Sequence, residues 1–239
     1  MNKFIHQGVI TVGVTILLTA LSTAARAGLI VVDHQPHNTG GLASDTEFFD
    51  PNFPGTWQRV ADDFTLATPA TIVQVNWWGF YNDDNPPSSE TMRVRFYDSR
   101  PGNGLPDDNN IIREEYFNNP SRTWTGRQVL TGIIPREFFF EAELSTPIPL
   151  AANTRYWLEV VQIGAPDSRF RWEFSLANLN GQAFINQTTG DWRQTTIVGD
   201  TAFQLLIPEP TTSVLLALVI LTILTRRRIS LSQDDLRFE

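Results

Sequence analysis

The sequence predicts an all-β domain, a two-sheet antiparallel β-sandwich of jelly-roll-like character. An N-terminal signal-peptide helix and a C-terminal transmembrane helix are expected to flank it. Three observations carry the prediction. Short alternating or apolar runs recur from Gly28 to Ile207, each bounded by Gly, Pro, Asn or Asp. None of that region sustains an apolar 3.6-residue period. The runs follow one another at roughly 8–12 residues, the spacing of sandwich strands. The chain of 239 residues therefore divides into a signal peptide (1–27), a β domain (28–207), a tail signal (208–228) and a polar tail (229–239).

In chain order, the first element is the leader. Lys3 supplies a basic start, and Val9 to Leu21 is an apolar stretch of thirteen residues. Ala25-Arg26-Ala27 places small side chains where a signal peptidase reads them, so cleavage is expected between Ala27 and Gly28 after export by the Sec machinery. An uncleaved anchor is the alternative, but thirteen residues are short for a bilayer core of about 30 Å.

Strands are expected at Leu29–Asp33, Ala61–Leu66, Ile72–Phe80, Met92–Tyr97, Ile111–Phe117, Trp124–Leu130, Glu137–Leu144, Arg155–Gln162, Phe170–Ser175, Gln182–Asn186 and Ala202–Ile207. In Arg93-Val94-Arg95-Phe96-Tyr97, period-2 alternation turns Val94 and Phe96 inward and the arginines outward. Arg169 to Phe174 turns three aromatic residues inward in the same way. Gln35–Trp57, Asn82–Ser89 and Asp98–Asn110, rich in turn residues, read as loops.

Composition narrows the chemistry. There is no cysteine, which excludes disulfides, thiolate metal sites and cysteine nucleophiles. A domain of roughly 180 residues buries enough surface to be stable without staples. Residues 28–207 carry 22 Asp and Glu against 12 Arg, a net −10, which repels phosphate and argues against a nucleic-acid partner.

At the other end, Pro208-Glu209-Pro210 precedes Thr211-Thr212-Ser213, an apolar run from Val214 to Leu224, and Arg226-Arg227-Arg228. The run of eleven residues spans about 16 Å as a helix and crosses a bilayer only with its flanks. Three arginines after it act as a stop-transfer signal that holds that end in the cytoplasm. The two prolines remove backbone donors and favour extended structure, which presents Glu209 to a protease. A plain tail anchor is the alternative.

This order of motif, apolar helix and arginine cluster resembles the PEP-CTERM sorting signal of Gram-negative bacteria, over Pro208 to Arg228. The resemblance implies recognition of Pro208, Glu209 and Pro210 by exosortase, a membrane cysteine transpeptidase-like enzyme. It also implies a transient stay in the membrane and delivery to the cell surface or the extracellular polysaccharide. The polar stub from Ile229 to Glu239 departs from the pattern, since such signals often end soon after the arginines. Within the domain, Asp62-Asp63-Phe64-Thr65-Leu66, Trp77-Trp78-Gly79, Phe96-Tyr97-Asp98 with Gly104-Leu105-Pro106, and Tyr156-Trp157-Leu158 resemble a domain common in PEP-CTERM proteins. That likeness implies a sandwich akin to carbohydrate-binding modules.

Candidate ligand sites follow from residue chemistry. Seven tryptophans lie in the domain; Trp57, Trp78 and Trp192 are the candidate sugar platforms, whereas Trp157 and Trp172 read as core. Trp77 and Trp78 are adjacent on one strand and must face opposite sides. Asp83, Asp98 and Asp107, in carboxylate-rich loops, are the candidate calcium ligands; no other cofactor is expected. Asp33-His34 with His37 offers two histidines three apart but no third metal ligand. No Gly-x-Ser-x-Gly elbow or catalytic triad is legible. The expectation is a non-enzymatic surface or matrix protein, associated with exopolysaccharide and able to bind glycan. A secreted polysaccharide hydrolase, with two carboxylates facing across a Trp-lined groove, and a purely structural adhesion module are the alternatives.

Overall fold

The computed structural model describes residues 28–45, 58–130, 134–163, 169–176, 184–187, 191–194 and 199–209. These residues hold strands β1 (Leu29–His34), β2 (Pro36–Ala43), β3 (Gln58–Thr65), β4 (Ala70–Tyr81), β5 (Thr91–Ser99), β6 (Pro106–Asn118) and β7 (Ser121–Gln128). They continue with β8 (Arg136–Leu150), β9 (Arg155–Ile163), β10 (Phe170–Ser175), β11 (Phe184–Gln187), β12 (Trp192–Gln194), β13 (Asp200–Thr201) and β14 (Phe203–Ile207). The fold is all-β, with two antiparallel sheets and no helix among the described residues. None of those residues, then, forms a helix long and apolar enough to cross a membrane. Both predicted flanking helices lie outside the described residues, as do Ala25, Ala27, Pro210 and Arg226 to Arg228.

The first sheet is organised by β4, the long strand at its centre. One edge of β4 pairs with β8, which carries β7. The other edge is shared end to end: β14 covers Gln74–Trp77 and β10 covers Gly79–Tyr81. β1 lies outside β14, and β2 and β13 pair with β10. Ala202 stitches the junction. Its carbonyl accepts from Trp78 N (3.2 Å) and from Trp172 Nε1 (2.9 Å), and its N–H donates to Glu173 O (2.8 Å). Glycine is required at position 79 here, because a Cβ would strike the Phe170 ring and lie 2.7 Å from Arg171 O.

The second sheet runs β12-β11-β3-β9-β5-β6. The inward faces of both sheets share one apolar core that includes Val60, Phe64, Val94, Phe96 and Leu158 from the second sheet and Val75, Trp77, Phe140, Phe170 and Phe203 from the first. Phe64 meets Phe96 and Phe203 edge-on at centroid distances of 6.2 and 6.1 Å, and Trp77 stacks on Phe140 at 5.2 Å. A smaller cluster of Ala61, Tyr97, Trp157 and Trp192, with Leu105 against it, covers the outer face of the second sheet.

The expected loop at Gln35–Trp57 is corrected in its first part, which forms β2. This strand lacks an apolar alternation because it is held through its backbone by β10: Leu42 pairs with Trp172 and Gly41 with Glu173. A Cβ at Gly41 would run into the Trp172 carbonyl, so the close approach demands glycine. Likewise β6 begins at Pro106, inside the segment expected as a loop.

Candidate functional site

The strongest candidate site is a cleft where β1, on one border of the first sheet, meets β3 of the second. A cavity of about 340 Å³ opens there, lined by Val31, Val32, Asp33, His34, Asp63, Phe64 and Thr65. Alternation builds it. On β3, Val60, Asp62 and Phe64 turn inward while Ala61 packs outward. On β1, Val32 and His34 are buried and Asp33 is exposed.

One lining residue, His34, faces the buried carboxyl of Asp62. His34 rests on Phe203, 4.5 Å between centroids, and its Nδ1 lies 3.7 Å from Asp62 Oδ2. Asp62 is fully buried and accepts from Thr201 N (2.5 Å) and Thr201 Oγ1 (3.0 Å), while its Oδ1 accepts from Asp63 N (2.9 Å). Burial pushes the Asp62 carboxyl above its ordinary value, against the pull of His34 and Thr201. Burial opposes charge on His34, yet the nearby Asp62 carboxylate, helped by Asp200 and Asp63, raises it overall. Both groups thus hold protons to a higher pH than they would in water.

Around this pair stand acceptors. Asp33 accepts from Gln35 Nε2 (2.5 Å) and Gln204 Nε2 (2.9 Å). Asp63 accepts from Arg155 Nε (2.8 Å), whose guanidinium lies 4.8 Å over the Trp157 ring. A cleft of this kind suits a small neutral or cationic ligand rich in hydroxyl or amino donors. Its geometry is not that of a nucleophilic triad, because the Thr201 hydroxyl donates to Asp62 rather than to the imidazole. Nor do His34 and His37 act together: His37 is exposed and bonds Thr39 (3.2 Å).

The structure disperses the other sequence-predicted residues. Trp78 and Trp192 are corrected as sugar platforms. Trp78 is 7% exposed and packs on Phe139 at 4.9 Å. Trp192 is 3% exposed, lies 4.8 Å under the Arg59 guanidinium and donates to Asp108 Oδ2 (3.0 Å). Trp57 lies outside the described residues. Trp157 and Trp172 are fully buried, whereas Trp124 is 54% exposed. Asp83 is exposed; Asp98 accepts from Asn110 Nδ2 (2.7 Å); Asp107 caps its own turn through Asn109 N (3.1 Å). Among the described residues no three His, Asp or Glu side chains are grouped to hold a metal ion. Pro208 and Glu209 follow β14 directly and are exposed.

Sequence reasoning did not find the buried charges. On the outer face of the second sheet, Glu159 is fully buried and accepts from Arg93 Nη2 (2.8 Å) and Tyr97 Oη (2.7 Å), with Arg59 at 3.3 Å and Arg95 at 3.9 Å. Arg95 is also paired with Glu114, and Arg59 with Asp108 (3.1 Å). The available signal was a lone carboxylate inside the apolar run Tyr156 to Val161. On the outer face of the first sheet, Glu137 and Glu173 are both fully buried.

Residues 33–221 match the sequence model of a family described as Domain of unknown function (DUF7901). A comparison with curated proteins finds no match. Two crystal structures of a CocE/NonD family hydrolase from Staphylococcus aureus align with 75% and 77% of this chain and 40% and 38% of theirs. Their identities are 12% and 11% and their TM-scores 0.27 and 0.30, and the chain spans about two fifths of their length. Likeness at this level leaves activity to the chain's own chemistry.

Proposed function

We propose that this chain, which belongs to the family described as Domain of unknown function (DUF7901), is an exported, non-enzymatic protein of the bacterial cell surface or extracellular matrix. In this reading the Sec machinery exports it, signal peptidase trims it before Gly28, and exosortase processes its tail at the inner membrane. The mature protein is jelly-roll-like in its wiring. Before processing it carries a signal-peptide helix and a transmembrane helix at its ends.

The observation that carries the reading is the placement of the motif. β14 ends at Ile207, and the next residues, Pro208 and Glu209, are exposed and lie outside any strand. Two prolines around a glutamate keep that segment from joining a sheet edge, so a peptidase can bind it in extended form. The apolar run and Arg226 to Arg228 then follow in the order that membrane sorting requires.

Association with exopolysaccharide is the second half of the proposal. The net acidic domain and the donor-hungry cleft at Asp33, His34 and Asp63 support a neutral or amino-bearing sugar over an anionic polymer. A non-enzymatic role is supported by the pair Glu137–Glu173. A glycosidase holds its carboxyls roughly 5–9.5 Å apart with substrate between them. Here both side chains are fully buried, with no exposed carboxyl for a substrate to meet.

The test is to express the gene in its host, with and without Arg226–Arg228 replaced by alanine, and to determine the C-terminus of the mature protein by mass spectrometry. The expected wild-type chain ends within or near Pro208–Pro210 at the cell surface, and the variant is retained uncut. Native protein that keeps residues 214–228 overturns the sorting proposal. Failure to pull down any native exopolysaccharide overturns the glycan half alone.

A further inference from the structure

The outer face of the first sheet holds two acids and one base. Glu137 on β8 and Glu173 on β10 are each fully buried, on either side of β4, and each acts electrostatically on the other. Arg127 on β7 donates to Glu137 Oε1 through Nε (2.9 Å) and Nη2 (2.6 Å). From β2, Asn38 N donates to Glu173 Oε1 (2.9 Å). Among the described residues, neither Glu137 Oε2 nor Glu173 Oε2 meets an N–H or O–H donor. Two ionised carboxylates there would leave two buried negative charges against one guanidinium, that of Arg127, whose side chain is 47% exposed. One proton between them satisfies both remaining oxygens and leaves the cluster neutral.

Among the described residues, the neighbouring charged groups are engaged elsewhere or exposed. The charged groups that act on Glu173 are Glu137 and Arg127. Arg171, two residues along β10, is spent on Asn82 Oδ1 (2.9 Å) and Gly41 O (3.2 Å). Arg136 is paired with Asp84 (3.0 Å). Glu141 and Glu143 on β8 are exposed, His37 on β2 is exposed on Thr39, and β13 sets Asp200 opposite Ser175. β4 contributes only Trp78 and Phe80, both uncharged.

We propose that Glu137 and Glu173 form a clasp closed by one shared proton, which fastens β2 and the end of β7 onto β10, and that losing this proton frees that corner of the sheet. Asn38 is the link. It sits at φ +64°, a left-handed conformation that asparagine tolerates better than most residues, and this turns its N–H to Glu173. Its carbonyl accepts from Leu130 N (2.9 Å), just beyond β7. Release of Glu173 therefore loosens three elements at once. Burial, then the charge of Glu137, pushes the Glu173 carboxyl up to about 8. Because the folded value exceeds the ordinary one, the stabilisation is complete below about pH 4.5 and is lost as pH rises through about 8.

The test uses the full-length chain in detergent, melted between about pH 5 and pH 8.5. Wild type is expected to lose roughly 5–10 °C of Tm over that interval. Glu173→Gln, whose amide donates to Glu137 at any pH, is expected to flatten that fall and to melt above wild type at the alkaline end. A Glu173→Gln slope equal to that of wild type overturns the proposal. Should the variant not fold, infrared difference spectra of wild type decide. A protonated-carboxyl band that disappears with a midpoint near 8 supports the clasp, and the absence of any carboxyl titrating above pH 6 overturns it.

Discussion

Glu159 and the Glu137–Glu173 pair occupy the outer faces of opposite sheets, and all three side chains are fully buried. Their surroundings are inverted. Glu159 meets Arg59, Arg93, Arg95 and Tyr97, so cations outnumber the acid and the arginines lean on Glu114 and Asp108 to balance. Glu137 and Glu173 share one arginine. Burial penalises charge equally in both places; the count of partners decides the outcome. One face is closed by ion pairs, the other, in the clasp proposed above, by a proton. Each is sealed by residues that pure alternation assigns to solvent.

The largest effect expected from this contrast is at Glu159. Glu159→Ala leaves the Arg59 and Arg93 side chains, 9% and 11% exposed, without their central anion. Removing one partner of a buried ion cluster costs about 3–5 kcal/mol. Urea unfolding of the variant is expected to show a loss of that size, with little change in its dependence on pH across the neutral range. A loss below about 1 kcal/mol would mean that the cluster behaves as a surface network and that the two faces do not differ as described.

The His34–Asp62 pair tests the same rule between the sheets, with one acid and one base. Asp62→Asn keeps one acceptor oxygen where the carboxylate serves Thr201 N, Thr201 Oγ1 and Asp63 N. An unsatisfied buried donor costs about 1–3 kcal/mol, and a loss in that range is expected. The sign with pH is the same as at Glu173. His34 and Asp62 are both raised, so their contribution is complete below their ordinary values and is lost as pH rises through the folded ones. NMR titration of the His34 ring is the measurement: a midpoint above 6.5 in wild type, returning toward or below it in Asp62→Asn. A wild-type midpoint below 6.5 would show burial winning over the acid.

Alternation was legible where it concerned the core. Val94, Phe96, Phe170 and Trp172 lie inside, and the outward turn of Arg93 and Arg95 is the observed one. It was silent on what covers an outward face. Trp77 and Trp78 do face opposite ways, yet both are buried. Phe139, sixty-one residues away, packs on the second ring. Trp192 is covered by Arg59 through pairings of β12, β11 and β3 that no local pattern encodes. The candidate cleft was legible only in pieces. Asp33-His34 and Asp62-Asp63 each stood out, but their meeting depends on β1 and β3 belonging to different sheets. β2 was missed because backbone pairing to β10, not side-chain pattern, makes it a strand.

The smallest effect expected is at Trp124, and it sharpens the contrast between the faces through their aromatic rings. On the second sheet, Arg155 caps Trp157 and Arg59 caps Trp192. On the first, Trp124 lies on β7, near Arg127, which donates to Glu137, yet is 54% exposed. Its Nε1 donates to Arg127 O (3.2 Å), a backbone acceptor that leaves the Arg127 guanidinium to Glu137. Trp124→Ala removes little buried surface and should change stability by less than about 0.5 kcal/mol. Trp157→Ala, which empties a fully buried site, should cost about 3–5 kcal/mol. The pH slope that Glu173 sets should survive Trp124→Ala unchanged. A slope that flattened with Trp124 would mean that the ring, not the proton, holds Arg127 against Glu137, and the two faces would then be closed by the same device.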